Sequence, residues 1–290
     1  MTTNPSKTRS AQRGSGLTAQ GSGLGAHGSG LTARGSEGWQ GWDDYAPFYD
    51  WENARTMGRQ DVRFWQDLAR REGGPVLELG SGTGRLTIPV ARTGVPVAGV
   101  DRSREMLAFA RKRARRLPVS QRPRLALGDI RALPFAGGTF HAVMAPYGML
   151  QSLTTDADLA ATLGEARRVL ARGGTLGIDL VPDLPAWDEY DRRVRFRGTN
   201  KAGARVTLIE SVRQDRRRGL TVFDQEYVER RGRQAATRRF SLTFRTLPLA
   251  EMVARVEAAG FTATAVLGDY RGRAWDLRAE VWLILASKRR

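Results

Sequence analysis

The sequence predicts an α/β fold with a largely parallel sheet, a helical segment before it and an antiparallel β insertion near its end. Between residues 75 and 182, short apolar runs alternate with amphipathic stretches, as in strands joined by crossover helices. Residues 204–246 alternate with period two instead and are interrupted by turn-like arginine and glycine segments, which is typical of antiparallel strands. A chain of 290 residues is long enough for one large domain or two small ones.

Residues 1–38 contain seven-residue Gly-Ser-Gly-Leu repeats and are predicted to be a disordered tail, because at least two glycines per repeat oppose a helix. An aromatic cluster from Trp39 onward leads into a helix expected over about 52–71. Residues 39–74 are therefore predicted to form a helical N-terminal cap that packs on the core, covers the site, or does both.

The first strand of the sheet runs into glycines at alternate positions, Gly80, Gly82 and Gly84. Such a turn lets a ligand approach the backbone, and the helix expected over about 86–92 points free N–H groups toward it. The sequence therefore predicts a nucleotide-like cofactor above this turn.

The later elements follow in alternation. Strands are expected at 95–101, 124–128, 139–144, 174–181, 262–267 and 280–286, and helices at 103–116, 155–171 and 248–259. Three insertion strands are expected at 204–214, 219–229 and 238–246. In the last of these, Phe240, Leu242 and Phe244 share one face, so the core helices or the second subunit of a homodimer must cover them.

Composition excludes several kinds of chemistry. The chain has no cysteine, which rules out disulfides and thiolate sites, and its two histidines are too few for a histidine-rich metal centre, so no metal is predicted. His141 is expected on the surface at the start of a strand, and His27 in a solvated repeat. No apolar run approaches the ~20 residues that span a bilayer. We therefore expect a soluble cytoplasmic protein without a membrane partner.

The formal net charge of +17 raises the question of nucleic acid. The positive residues are nearly all arginine, and they are spread along the chain instead of forming one basic arm. Nucleic acid is therefore not the favoured partner, although the charge does not exclude it.

Acidic residues mark the ends of three strands, at Glu78, Asp101 and Asp129. A dinucleotide-binding turn needs its third glycine one residue later than Gly84, where the chain has Arg85. Asp101 lies about 20 residues beyond the turn, the distance from which a carboxylate reaches ribose hydroxyls. Asp129 could accept from an adenine amino group. These carboxylates favour a positively charged cofactor without phosphates.

In order and spacing, these motifs resemble those of the class I S-adenosylmethionine (SAM) methyltransferases. The resemblance rests on residues 78–84, Asp101, residues 128–130 and residues 145–147. Residues 146–153, the insertion and residues 268–272 resemble the bacterial small-molecule N- or O-methyltransferases. The resemblance implies a Rossmann-like doubly wound sheet of seven strands with an antiparallel last strand. It also implies a SAM-binding domain over 75–290, interrupted by the insertion at about 186–247.

The resemblance further implies which residues bind SAM. The implied set is Arg59, Glu78, Gly80, Gly82, Gly84, Asp101, Arg102, Met106, Asp129, Ile130 and Ala145. Within it, the glycines border the methionine part, Asp101 binds the ribose and Arg59 meets the SAM carboxylate. Glu78 could instead only order the glycine turn, Arg102 and Met106 could be helix surface and packing, and Arg59 could be a plain exposed arginine.

Methyl transfer from a sulfonium is a single in-line displacement, so the protein supplies position, a dry pocket and in some enzymes a base. The residues expected near the acceptor are Tyr45, Tyr49, Tyr147, Gln151, Trp187 and Tyr190. Tyr147 is the candidate catalytic residue, with a plain pocket wall as its alternative. The sequence thus predicts a SAM-dependent methyltransferase of a small-molecule amine or hydroxyl. The alternatives are an RNA or protein methyltransferase and a non-catalytic SAM-binding scaffold.

Overall fold

The computed structural model describes residues 42–56, 59–181, 188–279 and 281–289, so the predicted tail and Trp187 lie outside the described residues. The helices are α1 Trp42–Asn53, α2 Val62–Glu72, α3 Thr87–Ala91, α4 Arg104–Ala114, α5 Asp156–Val169 and α6 Leu249–Ala258. The strands are β1 Val76–Leu79, β2 Val97–Asp101, β3 Arg124–Leu127, β4 Phe140–Ala145, β5 Leu170–Leu180, β6 Tyr190–Thr199, β7 Arg205–Asp215, β8 Leu220–Arg231, β9 Gln234–Arg245, β10 Phe261–Leu267 and β11 Trp282–Lys288.

Seven strands form the main sheet in the order β10-β11-β5-β4-β1-β2-β3. The last strand, β11, runs antiparallel to both of its neighbours, and the other pairs are parallel. This is the predicted fold class. The chain leaves β1 toward β2 on one side and returns as β4 on the other, so the carboxyl ends of β1 and β4 flank the point where a ligand crevice forms.

The insertion is a separate four-stranded antiparallel sheet, in the order β6-β7-β8-β9. Its inner face packs on α1 of the same chain, where the rings of Phe48 and Tyr227 stack with centroids 4.4 Å apart. Phe240 and Leu242 are buried in this contact. The face that needed a cover is therefore covered by the N-terminal cap helix, and a homodimer through the insertion stays a prediction.

Two sequence predictions about elements were wrong. The helix expected over 52–71 is instead two helices, because Asp61 is fully buried in an ion pair with Arg85 and this tertiary contact fixes where α2 begins. The insertion has four strands instead of three. The missed strand, β6, is an arginine-rich edge strand with almost no buried residue, so it carries no apolar alternation for a sequence pattern to reveal.

Two smaller features concern the start of α4 and His141, and the second agrees with expectation. Ser103 caps α4, since its Oγ accepts from the Met106 backbone N–H at 3.0 Å. His141 is exposed at the start of β4, with its Nδ1 3.2 Å from the Glu72 carbonyl. In the described ranges, no helix is both long and apolar enough to cross a membrane.

Candidate functional site

The glycine turn after β1 has all three glycines in the left-handed region, with φ of 63° at Gly80, 51° at Gly82 and 76° at Gly84. Gly80 and Gly82 line the main cavity of the protein. Gly84 does not, because a Cβ there would lie 3.0 Å from the Ile88 side chain and 3.2 Å from that of Ala110. Its left-handed backbone and the close packing of α3 on α4 both require glycine, and the implied SAM contact at Gly84 is not supported.

Asp101 fixes the shape of this turn. Its carboxylate accepts from the Gly82 N–H at 2.7 Å and from the Ser103 N–H at 2.8 Å. Burial raises the pKa of Asp101, and these two hydrogen bonds oppose that shift. Asp101 lines the cavity together with Arg102 and Met106, as the SAM assignment requires.

Ser81, between the two cavity-lining glycines, is 3% exposed. Its hydroxyl has no hydrogen-bond partner within the part of the chain that the structure describes. The Ser81 side chain lies against Gly99 of β2, where a Cβ would come within 2.8 Å of the hydroxyl oxygen. The hydroxyl therefore faces the sheet, and Gly80 and Gly82 are the residues of the turn that leave room for a ligand.

Asp129 also lines the cavity, next to Ile130. Arg131 contacts both of its oxygens, at 3.1 and 2.8 Å, and Arg102 lies 3.5 Å away. Burial disfavours the ionised form, but hydrogen bonds from Arg131 and the nearby arginine charges outweigh it and lower the pKa of Asp129. Asp129 therefore remains an anionic acceptor at the cavity edge.

Glu78 is the buried acid of β1, only 3% exposed. Burial raises its pKa to about 8, although Thr87 Oγ1 donates to Glu78 Oε2 and the charge of Arg85 lies nearby. Glu78 lines the cavity below the glycine turn. Because a nearby cation stabilises the charged form of a carboxyl whose pKa is raised, Glu78 fits a cationic ligand at this point.

Arg85 is one of the arginines that line the cavity, and no motif in the sequence had pointed to it. It is held by Asp61 and lies with its guanidinium carbon 5.2 Å from the centre of the Tyr147 ring. Arg59 is exposed on the turn between α1 and α2 and does not line the cavity, so the structure gives no support to its predicted contact with the SAM carboxylate. The available signal was a lone arginine inside an otherwise glycine-rich and apolar run.

The remaining predicted residues divide into two groups. Tyr45, Tyr49, Tyr147 and Gln151 line the cavity. Ala145 and Tyr190 do not.

The structure explains why these two residues do not line the cavity. Ala145 is wholly buried within β4. The Tyr190 hydroxyl donates to Glu210 at 2.5 Å, so this tyrosine supports a cavity residue without reaching the cavity itself.

Gln151 and Tyr147 each make contacts that stabilise the structure around the cavity. Gln151 donates to the Val181 carbonyl at 3.0 Å and accepts from the Val181 N–H at 2.9 Å, which ties the turn after β4 to the end of β5. Tyr147 has a φ of 59°, a strained value for a non-glycine residue. Its hydroxyl lies 3.1 Å from Thr56 Oγ1, and burial raises its pKa.

The second half of the cavity is formed between α1 and the insertion sheet. Its apolar wall includes Phe196, Phe223, Leu242 and Phe244. Sequence reasoning missed its polar residues, which are Glu52, Glu210, Gln225 and Arg195. The signal for Glu210 and Gln225 was present, since both occupy inward positions of the period-two pattern that apolar residues otherwise fill.

These walls enclose one cavity of about 670 Å3, which connects the glycine turn with the α1–insertion half. The volume is in the range of sites for small molecules and cofactors. Within the described ranges, no group of three or more His, Cys, Asp or Glu side chains could hold a metal ion.

A seven-stranded sheet with an antiparallel last strand, a glycine turn after β1 and acids at the ends of β2 and β3 together define the class I SAM-dependent methyltransferase fold. Residues 76–174 match a family model described as a methyltransferase domain. Over this matched range, the recognition of a methyltransferase domain made from its motifs is confirmed.

Individual relatives agree with this domain. A ubiquinone/menaquinone biosynthesis C-methyltransferase of Geotalea uraniireducens is 29% identical over 140 residues, 46% of this chain and 57% of that protein. A sugar N-methyltransferase from Streptoalloteichus has 18% identity and a TM-score of 0.68, covering 83% of this chain and 93% of its own. A SAM-bound amino pentose methyltransferase from Micromonospora echinaspora has 23% identity and a TM-score of 0.62, covering 83% and 96%. The chain spans about half the length of the curated relatives it matches, and the structural likeness concerns the fold.

Proposed function

We propose that this chain is a SAM-dependent methyltransferase that moves a methyl group to an amine or hydroxyl of a small molecule. The observation that carries the proposal is the continuous cavity. One half is walled by the glycine turn, Asp101 and Asp129, and the other by α1 and the insertion sheet. Donor and acceptor can therefore meet inside one water-poor space.

The residues of the first half have distinct tasks in this proposal. Asp101 accepts from ribose hydroxyls while it holds the glycine turn, and Asp129 with Ile130 borders the adenine. Arg85 takes over the task expected of Arg59, facing the carboxylate of the amino-acid part. When bound, SAM supplies the activated methyl group. The chain itself needs no nucleophile for this chemistry.

The second half favours a small acceptor. Its apolar walls come from aromatic and aliphatic side chains of α1 and the insertion, and the whole cavity of about 670 Å3 has the size of sites for small molecules. The names of the relatives include both carbon and nitrogen methylation, so they do not decide the acceptor atom.

The test measures SAM binding first and methyl transfer second. In calorimetry, SAM should bind the wild-type chain, and Asp101→Asn should weaken it at least about tenfold, because charge-assisted hydrogen bonds to the ligand and to Gly82 are lost. Asp67→Asn, on the exposed side of α2, is the matched control and should bind normally. Unchanged affinity in Asp101→Asn would overturn the site assignment.

Transfer is then followed with a radiolabelled methyl group against panels of amines and phenols, total RNA and protein. Label in a small molecule, lost in Asp101→Asn, supports the proposal. Label only in RNA or protein would refute the small-molecule acceptor. SAM binding without label in any acceptor would leave the non-catalytic scaffold as the better description.

A further inference from the structure

We propose that the acceptor of this site is an amine, bound as its ammonium form by Glu52 of α1 and Glu210 of β7, which meet at Gln225 in the second half of the cavity. The inference rests on the proposed function, since it names the acceptor class of the same site.

The two carboxylates share one amide. Gln225 Nε2 donates to Glu52 Oε1 at 3.1 Å and to Glu210 Oε2 at 2.9 Å. Glu210 and Gln225 are each 4% exposed, and all three residues line the cavity. Two carboxylates are therefore held a few ångströms apart, on elements far apart in the sequence, inside the space where the acceptor would lie.

The other hydrogen-bond partners of the two carboxylates hold them in place but leave some of their acceptor positions unused. Tyr45 and Tyr227 donate to Glu52 Oε2, the first at 2.5 Å. Tyr190 and Arg195 contact Glu210 Oε1, at 2.5 and 3.1 Å.

An ionised carboxylate offers about four acceptor positions. Three are used on each glutamate, which leaves one position on Glu52 Oε1 and one on Glu210 Oε2. Both lie beside the same Gln225 amide, where a single donor group with several N–H bonds can reach them.

The charges at this point do not balance without a ligand. Arg195 compensates Glu210, but among the residues that the structure describes no lysine or arginine forms an ion pair with Glu52. Burial raises the pKa of Glu52, and the nearby charge of Glu210 acts in the same direction. A bound cation would offset both effects.

The aromatic rings around the carboxylates point to the same ligand independently. Tyr45, Tyr49, Phe196, Phe223 and Phe244 all line the cavity. Aromatic faces attract ammonium groups through their negative π-surfaces, most strongly where water is excluded. Carboxylates and aromatic rings together are the composition of an ammonium site.

The same arrangement provides for the proton that the amine must lose. Glu52 Oε1 can take this proton: the N–H bond breaks, an O–H bond forms, and nitrogen keeps the electron pair with which it attacks. A neutral hydroxyl would leave the negative charge uncompensated, so the site discriminates against an alcohol of the same shape.

The experiment uses the full chain saturated with S-adenosylhomocysteine and measures the affinity of matched probes by calorimetry and ligand-observed NMR. Each probe pair has one skeleton, such as cyclohexylamine with cyclohexanol and benzylamine with benzyl alcohol. At least one amine should bind about tenfold or more tightly than its alcohol, the size expected for hydrogen bonds to a charged group. If no pair shows this preference, the inference is wrong.

Glu52→Gln and Glu210→Gln should each remove most of the amine preference while S-adenosylhomocysteine still binds, which shows that the variant is folded. Glu226→Gln is the matched control, because Glu226 lies on the outer face of the same sheet and pairs with Arg192 and Arg239. Preference retained in both cavity variants would also refute the inference. Failure of the wild-type chain to bind SAM or S-adenosylhomocysteine would instead refute the proposed function.

Discussion

Asp61 and Arg85 form a bidentate ion pair beside the cavity. Arg85 Nη1 and Nη2 each lie 2.7 Å from a different oxygen of the Asp61 carboxylate. Asp61 is 0% exposed, at the start of α2, and Arg85 follows the glycine turn directly. The pair therefore ties the N-terminal cap to the loop that is proposed to hold the cofactor.

Asp61→Asn should destabilise the fold by about 3 kcal/mol or more, because it leaves a buried guanidinium without its anion. The free energy of unfolding from urea denaturation measures the effect. Asp67→Asn removes a carboxylate from an exposed ion pair of the same helix and should change stability by less than about 1 kcal/mol. Similar losses in the two variants would contradict the importance of the buried pair.

The raised pKa of Glu78 predicts that the free energy of unfolding depends on pH. Its pKa is about 8 in the folded chain, against about 4.3 when exposed. Between these values the folded state keeps a proton that the unfolded chain has released, so wild-type stability falls as pH rises through this window.

The free energy of unfolding of wild type minus that of Glu78→Gln should therefore decrease from pH 5 to 8, with a slope of up to about 1.4 kcal/mol per pH unit. Urea denaturation of both proteins at each pH measures this difference. Parallel curves would show that Glu78 ionises normally.

The hydrogen bonds of Ser103 predict that the N-cap of α4 also stabilises α1. Its Oγ accepts from Met106 N–H at 3.0 Å and donates to Asp43 Oδ1 at 2.5 Å. Ser103→Ala should cost about 1 kcal/mol as a lost N-cap, and it should also raise amide hydrogen exchange in α1. Thr155→Ala removes the N-cap of α5, which has no such contact with α1, so it should lower stability without loosening α1.

Tyr147 is predicted to orient and enclose rather than to act as a base. Burial raises the pKa of its phenol, so the hydroxyl stays protonated at neutral pH. Tyr147→Phe should therefore retain kcat within about tenfold, whereas loss of a general base typically costs 100-fold or more. Steady-state kinetics with an accepted substrate distinguish these two roles. A 100-fold loss of kcat would show that Tyr147 is a catalytic residue.

The sheet and the first half of the cavity could be predicted because their signals are local. Gly80 and Gly82 need left-handed backbone, and Asp101 ends a buried strand, so both features appear in the sequence itself. Gly84 shares this left-handed backbone but packs against Ile88 and Ala110 and does not line the cavity, a difference that its position in the sequence could not reveal.

The second half depends on contacts between distant segments. Glu52 meets Tyr227 across 175 positions of the chain, and no periodicity in either segment encodes that pairing. Arg59 and Arg85 could not be ranked from sequence for a similar reason. The buried partner Asp61 decides between them, and its burial is a property of the folded protein.

The part of the chain that the methyltransferase family model matches, 76–174, contains the glycine turn and both strand-end aspartates. The wall facing the acceptor comes from α1 and from β6 to β9, all outside that range. Evolution could therefore exchange the insertion as a cassette and change which molecules are accepted, while cofactor use stayed constant. For protein engineering, a foreign insertion grafted between β5 and α6 must keep the apolar contact with Met106 of α4, because the insertion and this cavity residue share one buried cluster.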